Sequence, residues 1–144
     1  MKSKFLCIAL FASISLWAQK PQAILGIAKE NKSTEYYKEQ YGLWKKEAQE
    51  NPKDANAWYQ TYKAHRAYLQ KSQAQDWLKN QSVIYSKLRE TIDASKKHIG
   101  SSYEYYVMEG MNCRGSKSAH FSQKAFDINP KHQFLFLLHI VKPI

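Results

Sequence analysis

The phrase Asn-Pro-Lys occurs twice in this chain, at Asn51-Pro52-Lys53 and at Asn129-Pro130-Lys131. Each copy closes a stretch with helical periodicity. Proline lacks the amide donor that a helix interior needs, and its ring collides with the preceding turn. Helices therefore stop before it and new ones start after it. Punctuation of this kind constrains a chain toward stacked helical pairs.

The stretches on either side of Pro52 agree with that reading. Tyr37, Tyr41, Trp44 and Ala48 fall on one face of a helix over residues 34–50, with Ser33 as its cap. Asp54 is placed to cap a second helix over residues 55–70, whose stripe is Ala55, Trp58, Tyr62, His65 and Leu69. Two helices joined by about four residues fold back on one another, so their aromatic stripes face each other.

Further along, Ser72-Gln73-Ala74-Gln75 has the form of a capping box and predicts a segment that includes Trp77. Ile84, Leu88, Ile92 and Ile99 then form a helical stripe that ends at Gly100. Ser101-Ser102-Tyr103-Glu104 reads as another capping box, and Gly115-Ser116 as a stop and a fresh start before the helix that reaches Asn129. No stretch alternates with a period of two. The expected fold class is all-α.

The two ends are different in kind. Residues 1–4 are a short basic head and residues 5–17 carry no charge, with Ala18 at a plausible cut. That is the order of a secretory signal peptide, and it is too short for a spanning helix. A cut near Ser15 and an uncleaved anchor are the alternatives. Cys7 does not follow a lipobox, so no lipid anchor is expected. Residues 134–141 are almost wholly apolar without a polar face, which suits a buried stub or the abrupt end of a longer reading.

The expected organisation is a signal peptide over 1–18, an N-terminal segment over 19–33, a helical domain over 34–132 and an apolar tail over 133–144. Export to the periplasm, the outer envelope or the medium follows from it.

Loss of Lys2 and Lys4 with the signal leaves 20 basic residues against 12 acidic ones, a net charge of +8. The lysines are dispersed, with only Lys45-Lys46 and Lys96-Lys97 adjacent, as in a solvated coat. Dispersal and export both argue against nucleic acid as a partner. Cys113 is then the one remaining cysteine, so stability must come from packing rather than a disulfide.

The spacing of Pro52, Ala55 and Trp58 resembles the junction between two tetratricopeptide repeats, helical hairpins of 34 residues. Thr61-Tyr62 stands where that pattern has Leu-Gly, and His65 where it has Tyr. Pro52 and Pro130 are 78 residues apart, which does not fit a simple tandem array. The resemblance covers residues 34–70 well and 101–132 loosely. It implies irregular tetratricopeptide-like hairpins in an exported bacterial protein.

Candidate chemistry is sparse. The five histidines form no paired metal-ligand spacing, and Cys113 and His120 are separated by the turn at Gly115. There is no phosphate loop and no nucleophile elbow. Ser116 and Ser118 near His120 lack a third partner, and Glu104 and Glu109 read more simply as cap and helix residues. Neither an enzyme nor a cofactor is expected.

Tyr59, Lys63 and Arg66 stand apart because they leave the packing stripe and share another face of the same helix. In the repeat family that face lines a concave groove that holds extended peptides. By resemblance, the three residues are the candidate binding site for a protein or peptide of acidic character. A solvated basic face is the plainer reading of Lys63 and Arg66. The alternatives at the level of function are an envelope component that binds anionic glycan or lipid surfaces, and a truncated product with no function of its own.

Overall fold

A computed structural model of the chain describes residues 19–132 other than 74, 77 and 78. The expected signal peptide over 1–18, the apolar tail over 133–144 and Trp77 lie outside the described residues. Ser33 opens the first helix, α1 (Thr34–Glu50), its Oγ accepting the N–H of Tyr36 at 3.1 Å. Asn51 ends α1, donating its amide to the carbonyl of Glu47 at 2.9 Å and its side chain to the Glu47 carboxylate at 2.8 Å. The carbonyl of Pro52 accepts the Trp58 indole N–H at 2.8 Å, and Asp54 caps α2 (Ala55–Ser72) by accepting the N–H of Ala57 at 3.2 Å. Every polar residue of the first Asn-Pro-Lys-Asp phrase except Lys53 thus has a bonded role at the junction.

Three more helices follow: α3 (Gln81–Ile99), α4 (Tyr103–Met111) and α5 (Ser116–Ile128). The second phrase also ends a helix, since Asn129 donates its N–H to the carbonyl of Ala125 at 3.0 Å. It leads into a 3-10 turn, Pro130–His132. Among the described residues the architecture is all-α, with five α-helices and no strand.

Two expected caps are corrected, and the expected stop at Gly100 is kept. Ser72 does not open a segment; α2 runs as far as Ser72, whose hydroxyl donates to the carbonyl of Leu69 at 3.1 Å, so it finishes a helix. The cap of α4 is Ser102, one residue later than the capping-box spacing suggests, because its Oγ meets the N–H of Tyr105 at 3.1 Å. Gly100 ends α3 at an ordinary right-handed φ of −62°. What favours glycine there is space, since a Cβ would run into the carbonyl of Lys96.

Helix α2 is the axle of the fold. It packs against α1, α3 and α4, so residues off its predicted stripe are also buried, among them Ala57, Gln60, Thr61, Ala64 and Ala67. The small alanines let neighbouring backbones approach. The larger core joins Trp58, Tyr62 and Leu69 of α2 to Ile84, Leu88 and Ile92 of α3 and to Met108 of α4. Helix α5 lies mainly on α4. Their close crossing is at Gly110, where a Cβ would sit 3.1 Å from Ser122 Oγ and where Ser118 donates to the Gly110 carbonyl at 2.8 Å.

A second, smaller core belongs to the N-terminal segment. Ile24, only 1% exposed, packs on Tyr37 of α1 and on Ala64 and Ala67 of α2. Residues 19–33 contain no helix apart from a turn at 27–29, and they lie as a strap across the α1–α2 hairpin.

Candidate functional site

Tyr59, Lys63 and Arg66 occupy successive turns of α2, so helical spacing alone puts them on one face. The structure brings all three to a single open cleft of about 660 Å³. Lys71 extends the same wall, Met111 of α4 closes one side, and strap residues 25–28 form the other. Leu25 stands at the edge, 60% exposed. Among the described residues, three cationic side chains line this cleft and no carboxylate does.

Lys63 and Arg66 differ from a solvated basic face, because both are half-buried. The Lys63 ammonium lies 4.6 Å from the centroid of the Tyr59 ring and donates to the carbonyl of Ile24 at 2.7 Å. Burial lowers the Lys63 pKa, and the nearby charge of Lys29 lowers it further. Burial also pushes the Tyr59 phenol up to about 12, so it acts as a neutral hydrogen-bonding and stacking group. Arg66 Nε is buried with no hydrogen-bond partner among the described residues. Its side chain also borders a second cavity of about 380 Å³ with Tyr85, Arg114 and Gly115. A carboxylate entering the cleft would meet point charges from Lys63 and Lys71 and a planar fork from Arg66.

The strap contributes what spacing did not reveal. Gln22 donates its amide to Gln40 Oε1 at 2.6 Å, and its carbonyl accepts the Trp44 indole N–H at 2.8 Å. Ile24 donates its amide to Gln60 Oε1 at 2.8 Å, and its carbonyl accepts from Lys63. Two alternate residues therefore have both main-chain groups held by side chains, the first pair from α1 and the second from α2. The available signal was polar: Gln40 and Gln60 are buried glutamines on otherwise packed helices, and buried amides need partners.

Cys113, Ser118 and His65 each have a structural contact. Cys113 and His120 do border one cavity, with Arg89, Glu109 and Lys117. The Cys113 thiol, however, donates to the Glu109 carbonyl at 3.0 Å, and burial followed by the Glu109 charge raises its pKa, away from the reactive thiolate. Among the described residues no three metal-ligating side chains converge. Ser118 is tied to Gly110. His65 is a packed ring as expected from its stripe, though its Nδ1 is buried with no partner among the described residues.

No described helix is long and apolar enough to cross a membrane. No protein-family model matches the chain, and no curated protein or solved structure matches it.

Proposed function

We propose that this chain is a non-catalytic interaction or scaffolding module of the cell envelope or secreted space, which docks an acidic peptide segment in the cleft of Tyr59, Lys63 and Arg66. The observation that carries the reading is the convergence of Lys63, Arg66 and Lys71 on one open cleft whose lining, among the described residues, holds no carboxylate. A tetratricopeptide-like hairpin is the architecture that suits such a role, because stacked helices present an extended surface without reactive groups. The basic head and apolar run of residues 1–17 support export.

Titration of the chain with a fluorescein-labelled hexaglutamate peptide tests the reading. Lys63→Ala with Arg66→Ala should weaken binding by about tenfold or more, as expected for two partly desolvated charge-assisted contacts. An unchanged affinity in the folded double variant would sink it. Salt separates the docking reading from a general affinity for anionic glycan or lipid. A diffuse polyanion surface loses affinity steeply with ionic strength, and the double variant should then bind nearly as well as the parent.

A further inference from the structure

The strap is held as a ligand is held. Four of its main-chain groups, the N–H and C=O of Gln22 and of Ile24, are met by Gln40, Trp44, Gln60 and Lys63. Recognition through main-chain groups does not depend on the identity of the residue whose backbone is read. The fully buried anchor is Ile24, which fills the pocket of Tyr37, Ala64 and Ala67 with Ile27 packed partly buried beside it, while Ala23 and Leu25 on either side of Ile24 are exposed. Burial of one branched aliphatic side chain is enough to seat the strap yet small beside the stability of a whole domain.

The strap also occupies the charges a partner would want. Lys63 is bonded to its backbone at Ile24, and Lys71 donates to the side chain of Asn31. Its own Lys29 brings a like charge toward Lys63. The resting occupant is therefore well matched to the groove in backbone and anchor and mismatched in charge at Lys29, while the adjacent Glu30 carboxylate is paired with Lys32 at 3.2 Å.

We infer that the groove between α1 and α2 is a main-chain-reading peptide site which residues 22–31 occupy in cis, and that its ligand in trans is a peptide with a branched aliphatic anchor and carboxylates beyond it. The inference rests on the acidic-peptide reading for the carboxylates alone; the main-chain clamp and the anchor stand apart from it. The strap is then a competitor whose release sets the apparent affinity, because a site open for only part of the time binds more weakly in proportion.

The test uses the full chain with Ile24→Asn, which removes the anchor, and two fluorescent peptides. One has the sequence of residues 20–32; the other is identical except for Lys29→Glu. The variant chain is expected to bind the first peptide, and the parent chain to bind it about tenfold more weakly because its own strap competes. The Lys29→Glu peptide is expected to bind the variant about fivefold more tightly, the gain from replacing a repulsion by an attraction at a half-buried ammonium. If both peptides bind the variant equally, the charge part and the acidic-partner reading fail together while the groove stands. If neither binds a variant that keeps its helical signal and cooperative melt, the groove inference is overturned.

Should Ile24→Asn not fold, hydrogen exchange in the parent chain decides the matter. Strap release predicts that the amides of Gln22 and Ile24 exchange by an opening that leaves α2 and α3 protected. Exchange of those amides only with global unfolding would show that the strap is fixed core, and would overturn the inference.

Discussion

The His65 imidazole lies flat on the Tyr41 ring, with centroids 4.1 Å apart and planes 13° from parallel. This contact ties α2 to α1 and keeps the histidine in a place where it resists protonation. Burial, followed by the charges of Lys45 and Lys87, lowers its pKa from 6.5 to about 4. The unfolded chain takes up this proton near the ordinary value, whereas the folded chain does not until about pH 4. The contribution of neutral His65 is complete above about pH 6.5 and is lost as the pH falls from there toward 4. Urea denaturation should show stability falling by up to about 1.4 kcal/mol per pH unit from this group. His65→Phe keeps a stacking ring without the titration, so its slope over that interval should be shallower. Equal slopes for parent and variant would refute the assignment.

Glu109 is a buried carboxylate, its side chain 9% exposed, with one oxygen on Arg89 at 2.8 Å and the other accepting from Tyr105 at 2.8 Å. Arg89 reaches it from α3 and remains 36% exposed, close to Asp93 as well. Removing the cation strands a buried charge with a single phenol donor, which costs more than removing the phenol. Arg89→Met should destabilise by about 2–3 kcal/mol, the lower part of the range for a broken buried pair because Arg89 is partly solvated. Tyr105→Phe should cost about 1 kcal/mol. Denaturation midpoints of the two variants measure the order, and the reverse order would show that Arg89 is held mainly by water.

Two glycines should respond in opposite directions to the same substitution. Gly42 sits inside α1 with open space where a Cβ would go, so Gly42→Ala should raise stability by about 0.5–1 kcal/mol. Gly115, which precedes α5, has φ +63° and ψ −140°, a backbone that L side chains rarely adopt. Gly115→Ala meets no atom there either, so its cost is backbone strain of about 1–3 kcal/mol. Thermal melts of the paired variants separate space from backbone geometry.

The helices were legible because their signals are local. Asp54 and Ser33 cap where sequence spacing places them, and Asn51 and Asn129 both end helices. The error at Ser72 has a physical source: a serine hydroxyl can accept from a starting helix or donate to an ending one, and the spacing of its neighbours does not decide between them. The burial of α2 on several sides was hidden for another reason. Ala57, Ala64 and Ala67 carry little hydrophobic signal, and tertiary neighbours decide whether an alanine is core.

Of the candidate cleft, helical spacing was enough to bring Tyr59, Lys63 and Arg66 together on one face. It was not enough to find the wall opposite them. The strap contacts span 36 residues from Ile24 to Gln60 and 39 from Ile24 to Lys63. Periodicity within either segment carries no record of pairings at that distance.

The position of α2 at the centre of the packing bears on the thermodynamics of anything that docks there. Tyr59, Lys63 and Arg66 project from a helix held by α1, α3 and α4, and Lys63 is further steadied over the Tyr59 ring. A receptor surface that is already ordered gives up little conformational freedom on complex formation. The entropy loss on the α2 side should therefore be small, and stiffening the incoming peptide should raise affinity.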